Sequence, residues 1–369
     1  MRALAVLVGL LLCLSLSAQR LSEPYKRPSF EDINSFVKAK ARPLWQRDTV
    51  KMVLIGDVMM HSKQLDTDWS LFLRELTPIF READITVANM EFPLGGKPYT
   101  GYPVFSTPDE YPPVIRDAGI DIFLLANNHV LDKGARGLER TLEKYRGMKG
   151  IQFTGASSTP QEDTTLYPLI VVAKGIRIAL VNFTYGTNQG GSEPWPKVNR
   201  MNKEDVLSAI GRARRRGADY IIALPHWGIE YNLTHSPSQE SWARWLVENG
   251  CDAVIGAHPH VVQDATTIDG VPVFYSLGNA VSNMSAQNTR LELLVTLRWA
   301  ISPDGTTEML SPETTWLWCT LPGKLTHSYS TIPVEKYLGR RELWMSPDDY
   351  DNMVQTLERV GRATGISKP

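Results

Sequence analysis

The stretch Gly256-Ala257-His258-Pro259-His260 directly follows a short apolar run, 253–255, that is typical of a buried strand. The two histidines therefore stand where a strand ends and a loop begins. Residues i and i+2 of an extended segment project to one side, so both imidazoles can face one site. Histidine pairs also occur as ordinary solvated loop residues, and the spacing by itself does not separate that interpretation from a metal site.

The same succession of an apolar strand and a polar strand end recurs along the chain. The candidate strands are 52–55, 84–88, 121–126, 220–224 and 274–277, and they end at Gly56-Asp57, at Asn89 and Glu91, at Asn127-Asn128-His129, at His226-Trp227 and at Gly278-Asn279. Candidate helices lie between strands or beside them, at 71–83, 112–118, 135–148, 204–216 and 239–249. Strands that alternate with helices predict a largely parallel central sheet, whose ligands lie outside the carboxyl ends of the strands.

Three further features complete the predicted domain. They are an antiparallel hairpin of 169–172 and 176–183, two strands at 291–299 and 314–320 that are expected to complete a second sheet, and an amphipathic terminal helix at 348–364.

The first residues have the pattern of an export signal. Arg2 supplies a positive charge, 3–16 is apolar, and small residues at Ser17 and Ala18 suit cleavage. The apolar run is shorter than the ~20 residues of a bilayer span, so cleavage is favoured and an uncleaved anchor is the alternative. The predicted divisions are a signal peptide (1–18), a tether (19–49), a main domain (50–340) and a C-terminal helix (341–369). The predicted location is periplasmic or associated with the cell envelope.

Charge and cysteine content limit the classes of function. The net charge is −1 and the chain has no basic stripe, so nucleic acid is not expected as a partner. Beyond the signal, Cys251 and Cys319 permit at most one disulfide, and the fold must therefore depend on a large core.

The polar strand ends together carry metal-ligand chemistry. Their candidate ligands are Asp57, Asn89, Asn128, His226, His258 and His260. This mixed oxygen and nitrogen set suits manganese, iron or zinc, and it exceeds one tetrahedral site, so it predicts two divalent metal ions. Each Asp or Asn taken alone is more often a turn former or a helix cap. Five of the seven histidines nevertheless follow strand candidates, which favours a metal or catalytic centre.

These residues also resemble a known motif series. The motifs are Gly56-Asp57-Val58-Met59, Ala88-Asn89-Met90-Glu91, Ala126-Asn127-Asn128-His129 with Asp132 and Gly134, His226-Trp227-Gly228 with Glu230-Tyr231, Gly256-Ala257-His258-Pro259-His260 and Tyr275-Ser276-Leu277-Gly278-Asn279. In this order they resemble the bacterial CapA family, which is named for capsule and poly-gamma-glutamate synthesis. The resemblance covers 51 to about 285 and implies a four-layer α/β/β/α sandwich similar to calcineurin-like metallophosphoesterases.

The resemblance also implies roles for individual residues. Asp57 would bind the first metal and Asn128 the second, and Glu91, near Asn89, would stand close to the place of the bridging carboxylate. The implied metal shell is completed by His226, His258 and His260. His129 would be the acid beside the leaving group, with Asp132 holding its ring. The expected substrate-binding residues are His61, Trp227, Glu230, Tyr231 and Asn279.

Two positions depart from the phosphoesterase pattern. Those enzymes open with Asp-x-His, whereas the first histidine after Asp57 is His61, four residues on. They bridge their metals with an aspartate from a Gly-Asp motif, and this chain offers Asn89 and Glu91 instead.

Two functions follow from this pattern. The first is an exported metal-dependent hydrolase that acts on a phosphoester or a gamma-glutamyl or other amide bond of an envelope polymer. The second is a non-catalytic envelope component that holds an anionic polymer during capsule assembly or export. The expected partners are that anionic polymer or its precursor and, as a further option, membrane-bound capsule assembly proteins.

Overall fold

A computed structural model of the chain describes residues 49–190 and 194–369. The predicted signal peptide and nearly all of the predicted tether lie outside these residues. Within them, no helix has both the length and the apolar character needed to cross a membrane.

The strands and helices of the described residues alternate over much of the chain. The strands are β1 (Thr49–Val58), β2 (Ile85–Met90), β3 (Ile122–Leu124), β4 (Gln152–Thr154), β5 (Ala156–Ser157), β6 (Leu169–Ala173), β7 (Ile176–Thr184), β8 (Lys197–Val198), β9 (Tyr220–His226), β10 (Ala253–Ile255), β11 (Ala265–Ile268), β12 (Val271–Phe274), β13 (Asn279–Val281), β14 (Leu291–Ile301), β15 (Thr307–Met309), β16 (Glu313–Thr320) and β17 (Ser330–Pro333). The α-helices are α1 (Thr77–Glu82), α2 (Tyr111–Ala118), α3 (Gly134–Arg146), α4 (Pro160–Leu166), α5 (Lys203–Arg215), α6 (Pro237–Glu248), α7 (Val334–Tyr337) and α8 (Pro347–Thr364). Short 3-10 turns occur at Ser62–Gln64, Trp69–Leu71, Arg74–Leu76 and Arg341–Leu343.

Two sheets hold most of these strands. The first has the order β17-β16-β14-β1-β2-β3-β4, with β13 paired to β1 and β15 to β14. The second has the order β11-β12-β10-β9-β7-β6. Strands β1 to β4 are parallel to one another, and so are β7, β9, β10 and β12. The parallel strands of each sheet therefore end at one edge, where ligands bind in such sheets.

The two sheets pack face to face and are covered by helices on their outer sides. One core lies between the sheets and includes Leu54 of β1 and Leu180 of β7, and α8 adds Met353, Leu357 and Val360 to it. A second core joins the outer face of the first sheet to α1, α2 and α3. A third core joins the outer face of the second sheet to α5 and α6. The predicted four-layer α/β/β/α sandwich is confirmed by these three cores.

Close backbone approach at the end of β1 requires glycine. A Cβ atom on Gly56 would lie 2.0 Å from the carbonyl oxygen of Gly278, which no side chain could tolerate. The next residue, Asp57, donates its backbone N–H to the same oxygen at 3.0 Å. The absence of a side chain at Gly56 thus lets β13 join β1 and fixes the position of Asp57.

Three sequence expectations need correction. The strands predicted to form one central parallel sheet belong to two sheets. Apolar periodicity shows that a strand is buried, but it does not show which neighbour the strand pairs with. The strands expected at 291–299 and 314–320 are β14 and β16, and they extend the first sheet through β1 instead of completing the second. The helix expected at 71–83 is two 3-10 turns followed by α1, with Pro78 in the first turn of α1. The hairpin β6–β7 and the other five predicted helices, including the terminal one, are confirmed to within about two residues.

Glu292 of β14 holds the end of β1 through a hydrogen bond to its backbone. Its Oε1 accepts the backbone N–H of Gly56 at 2.7 Å, whereas its Oε2 is buried without a hydrogen-bond partner. Burial raises the pKa of Glu292 to about 8. The bond from Gly56 lowers this pKa by less than burial raises it, and the nearby charge of Asp57 raises it by a smaller amount. The folded protein therefore holds a proton here that the unfolded chain releases near pH 4.5.

We expect Glu292→Gln to change how stability depends on pH. The stabilisation from the raised pKa is complete below about pH 4.5 and is lost as the pH rises to about 8. Glutamine keeps the acceptor for Gly56 and does not titrate. As the pH rises through this range, the free energy of unfolding of the variant should increase by roughly 3–5 kcal/mol relative to that of the parent, at about 1.4 kcal/mol per pKa unit. Denaturant unfolding at a series of pH values measures the difference.

The exposed strand residue Glu308 provides the matched control, because Glu308→Gln removes a carboxylate that is not buried. Its unfolding profile should run parallel to that of the parent. A parallel profile for Glu292→Gln as well would mean that Glu292 is ionised in the folded protein.

Candidate metal centre

The carboxyl ends of the two sheets meet at Asp57. The backbone N–H of His258, which follows β10 in the second sheet, donates to Asp57 Oδ2 at 3.2 Å. Asn89 at the end of β2 donates its Nδ2 to Asp57 Oδ1 at 2.7 Å. His260 Nδ1 lies 3.4 Å from Asp57 Oδ2 and His226 Nδ1 lies 3.9 Å from Asp57 Oδ1. Strand ends that are far apart in sequence are thus gathered around one buried carboxylate.

Glu91 is the second carboxylate of the centre, and its side chain makes no hydrogen bond with the described residues. It is fully buried, and neither of its carboxylate oxygens has a hydrogen-bond partner. Its Oε1 faces two imidazoles, at 3.6 Å from His226 Nε2 and at 3.8 Å from His260 Nε2. A buried carboxylate costs free energy unless a cation or donors compensate it, and an ion between these atoms would do so.

Three groups of side chains have the geometry of a metal site. They are Glu91 with His226 and His258, Asp57 with Glu91 and His260, and Glu230 with His258 and His260, and the ligand atoms of each group lie within 4.8 Å of one another. Glu91 belongs to two of the groups. His258 Nδ1 is also buried without a partner. Carboxylate and imidazole in this arrangement fit divalent ions such as manganese, iron or zinc.

The backbone at the two histidines of the opening motif adopts unusual conformations. His258 has φ 103° and His260 has φ 57°, both in the region that favours glycine. Such conformations cost on the order of 1–3 kcal/mol each and occur most often at functional sites. The alternation expected of an extended segment therefore does not explain how the rings meet, although both rings do face the centre.

Neighbouring amides orient two of the imidazoles. Asn279 Oδ1 lies 2.9 Å from His260 Nδ1, and Asn279 is itself held by bonds from its Nδ2 to the carbonyls of His260 and Thr289. His226 Nε2 lies 2.8 Å from Asn128 Oδ1. With Nδ1 of His260 engaged, its Nε2 is the nitrogen that faces Glu91, at 3.8 Å from Oε1.

His129 and Asp132 form a pair beside the candidate ligands. His129 Nδ1 lies 2.7 Å from Asp132 Oδ2, which also accepts the backbone N–H of Phe105 at 2.8 Å. The Phe105 ring packs edge-on against the imidazole with centroids 4.7 Å apart. Asn188 Nδ2 lies 3.3 Å from the ring nitrogens. The His129 ring is therefore held on several sides.

The buried charges shift the pKa values of the centre. Burial by itself raises the pKa of Asp57, but the bond with His260 and the charges of His226 and His260 outweigh it and lower that pKa. Burial lowers the pKa of His260, yet Glu91 and Asp57 together raise it to about 9. Burial and the neighbouring histidines lower the pKa of His258 well below its ordinary value. The raised pKa of His260 shows that the carboxylates of Asp57 and Glu91 favour a positive charge between them.

The predicted substrate residues fall into different places. Glu230 is exposed and belongs to a ligand group with His258 and His260, and Tyr231 is exposed with its ring 6.4 Å from that of His260. His61 lies at the edge of the centre, where its Nδ1 accepts the backbone N–H of Asn283 at 3.2 Å. Burial lowers the pKa of His61 to about 4, so its ring is neutral at ordinary pH.

Trp227 is not a substrate residue, and that expectation was wrong. Its side chain is fully buried in the core behind the second sheet, and its Nε1 donates to the carbonyl of Tyr275 at 2.9 Å. His226 and Trp227 are consecutive in an extended segment, so their side chains point in opposite directions. The histidine faces the centre and the tryptophan lies in the third core.

Residues 182–188, at the end of β7, were missed as a polar strand end. Tyr185 is 47% exposed, and its ring centroid lies 4.6 Å from that of His258. Asn188 contacts Asn128 and His129. Like the other clusters, this one follows an apolar strand, but β7 had been considered only as half of a hairpin.

Asn127 was named before only as part of its motif. Its side-chain Nδ2 donates to Asn89 Oδ1 at 3.3 Å and to the carbonyl of Met90 at 2.9 Å, and it therefore links these two residues.

Known proteins with similar sequences carry capsule-related names. The capsule biosynthesis protein CapA of Bacillus anthracis is 28% identical over 68% of this chain and 64% of its own length. The PGA biosynthesis protein CapA of Bacillus subtilis is 29% identical over 67% of each chain. This chain thus spans just under two thirds of the length of the first of these relatives.

Solved structures that match this chain have low sequence identity to it. A putative 5′-nucleotidase from Staphylococcus aureus matches with a TM-score of 0.47 and 13% identity, over 72% of this chain and 54% of its own. The NAD nucleotidase of Haemophilus influenzae also has a TM-score of 0.47, with 15% identity over 84% of this chain and 62% of its own.

A family model decides the relationship. The model described as bacterial capsule synthesis protein PGA_cap matches residues 51–284, which is more than half of the chain and includes every strand end that reaches the centre. The protein therefore belongs to the bacterial capsule synthesis protein family PGA_cap.

Proposed function

We propose that this protein is an exported metal-dependent hydrolase that acts on an anionic polymer of the cell envelope or on its precursor. The bond cleaved would be a phosphoester or an amide, including a gamma-glutamyl amide. The capsule and poly-gamma-glutamate names of the relatives support the substrate class. Membrane-bound proteins of capsule assembly are the partners we would expect.

One observation carries the proposal. Glu91 is fully buried, is shared by two ligand groups and has no hydrogen bond to either carboxylate oxygen. Side chains placed only for stability are normally hydrogen-bonded when they are buried. A carboxylate kept free between imidazoles is suited to binding cations.

The residues of the centre divide into two sets around Glu91. Asp57 and His260 would hold one ion with Glu91, and Asn128, His226 and His258 would hold the other with it. Asn89 would act by positioning Asp57. When bound, such ions supply Lewis-acid activation of water and of the scissile group.

His129 is placed to move a proton. It lies next to the ligand Asn128 but belongs to none of the three ligand groups. Asp132 accepts from its Nδ1, which fixes the ring and makes Nε2 the nitrogen that exchanges a proton with substrate. The imidazole can therefore donate a proton to a leaving oxygen or nitrogen as the bond breaks.

We predict that the protein binds close to two transition-metal ions per chain. Elemental analysis after purification without chelators, and after reconstitution with manganese, iron or zinc, measures the content. Replacing both His258 and His260 by alanine should remove most of the metal, because His258 and His260 supply ligands to both ions. The control is His327→Ala, which removes an exposed histidine and should leave the content unchanged. No metal after reconstitution would contradict the proposal.

We predict that His129→Asn lowers turnover by ~10²–10⁴-fold, the usual range for loss of a general acid. Metal content and the unfolding midpoint should not change. The assay uses the best substrate from a screen of phosphomonoesters, phosphodiesters and gamma-glutamyl oligomers with metal-loaded protein. Equal turnover by the variant and the parent would assign His129 a structural role. Hydrolysis of no substrate would favour a component that only holds the polymer.

We predict export with cleavage near Ser17 or Ala18, because a positive residue, an apolar run and small residues occur in that order. Sequencing the N-terminus of protein isolated from the native cells tests this. A protein that begins at Met1 and is recovered from the cytoplasm would contradict it.

A further inference from the structure

An apolar groove lies at the side of the molecule where both sheets end. Among the described strands, β4 is the last strand of the first sheet and β6 is the last strand of the second. The groove has a volume of about 490 Å³ and is lined by residues of these two strands and of the ends of α3 and α4. Its apolar lining includes Tyr145, Met148, Ile151, Phe153, Leu166 and Leu169. None of its lining residues belongs to the candidate metal centre.

The groove exposes apolar side chains that belong to two different cores. Met148 and Phe153 pack against the core outside the first sheet, and Leu169 packs against the core between the sheets, but all three are only partly buried. Leu166, at the end of α4, is 59% exposed. Apolar surface that stays in water is unfavourable in proportion to its area. A groove of this kind is typical of a place where another apolar segment binds.

The charges at the edge of the groove are not balanced among the described residues. Arg146 Nη2 pairs with Glu162 Oε1 at 2.8 Å. Lys149 is exposed and forms no ion pair with the part of the chain that the structure describes. An occupant with an acidic residue beside its apolar ones would therefore complement the groove.

The first described residue of the chain lies near the groove. Hydrogen bonds join the amino ends of the parallel strands from β1 to β4, as in the bonds from Asp84 N–H to the carbonyl of Lys51 and from Gln152 N–H to the carbonyl of Asp121, both 2.8 Å long. Three strand spacings of ~4.8 Å separate β4 from β1, and Thr49 precedes Lys51 by ~7 Å along its strand. Thr49 is therefore roughly 15–20 Å from Gln152, which lines the groove.

The sequence before Thr49 contains a segment whose chemistry matches the groove. This segment, 30–37, lies outside the described residues. Its apolar residues recur at the spacing that places side chains on one face of a helix, and they are Phe30, Ile33, Phe36 and Val37. Glu31 and Asp32 stand among them. Residues 38–48 connect the segment to Thr49 and span up to ~36 Å, which exceeds the distance to the groove.

We propose that residues 30–37 of the same chain bind in this groove. Their four apolar side chains are buried against its lining, and an acidic residue of the segment pairs with Lys149. Because the segment is attached to the domain, its effective concentration at the groove is in the millimolar range, which favours it over a second copy of the chain. The bound segment also covers the free edges of β4 and β6, which would otherwise be open to pairing with another chain. The proposal is independent of the proposed hydrolase activity.

Backbone hydrogen exchange of the complete chain tests the proposal, with the double variant Ile33→Asp with Phe36→Asp as the comparison. Two charges among the buried side chains should release the segment from the groove. Peptides that cover 149–156 and 165–170 should then exchange at least ~10-fold faster, because tenfold corresponds to ~1.4 kcal/mol and burial of one Ile or Phe side chain contributes more than that. Peptides of β16, near the opposite end of the first sheet, should not change.

The matched control is Asn34→Asp with Ser35→Asp, which adds the same charge on the polar side of the segment and should keep the exchange rates of the parent. Equal rates in the parent and in the Ile33 and Phe36 variant would overturn the proposal. Equal acceleration in both double variants would also overturn it, because charge alone would then explain the change. Protection that decreases when the protein is diluted would assign the groove to a second copy of the chain instead.

An engineered disulfide identifies the occupant directly. Cys251 and Cys319 are buried, so the pair Asp32→Cys with Lys149→Cys can be oxidised without involving them. Mass spectrometry of the digested monomer should find a link between positions 32 and 149. The control pair is Asp32→Cys with Arg362→Cys, at an exposed position on α8, and it should give no link. No link between 32 and 149, a link only between two chains, or equal yields from both pairs would contradict the proposal.

Discussion

The hydrogen bond from the backbone N–H of His258 to Asp57 Oδ2 joins the two sheets at the edge where their parallel strands end. The two residues are 201 positions apart in sequence. Asp57 is the last residue but one of β1, and His258 follows β10 by three residues. The contact depends on Gly56, whose missing side chain lets the backbone of Gly278 approach. It also depends on Gly256, where a Cβ atom would lie 2.2 Å from the carbonyl oxygen of Tyr275. Backbone proximity at two glycines thus determines where the side chains of the centre meet.

The centre carries costs that the rest of the fold offsets. Glu91 is a buried carboxylate without hydrogen bonds, and His258 and His260 hold positive φ values. Three apolar cores surround the two sheets and provide the stability against which these costs are set. Unfavourable local features of this kind, such as unpaired buried charge and strained backbone, are expected to cluster at functional sites. Here they gather where the strand ends of both sheets converge.

Most of the fold and much of the centre could be predicted from the sequence, because buried parallel strands are apolar throughout and their ends are polar. Asp57, Glu91 and His260 were found in this way. The pairing of strands could not be found, since apolarity does not identify the neighbour of a strand. Trp227 was misjudged although its position next to His226 in an extended segment predicts that it faces the core. Asn188 was missed because β7 was considered only as part of a hairpin.

We propose that strand ends from the two sheets form a two-ion centre in which both ions share Glu91. A crystal structure of the metal-loaded protein, with anomalous scattering recorded at the metal edge, tests it most directly. We expect two anomalous peaks ~3.5–4 Å apart, with a carboxylate oxygen of Glu91 within bonding distance of both. A single peak, or a Glu91 carboxylate that is hydrogen-bonded to protein groups and touches no ion, would contradict it.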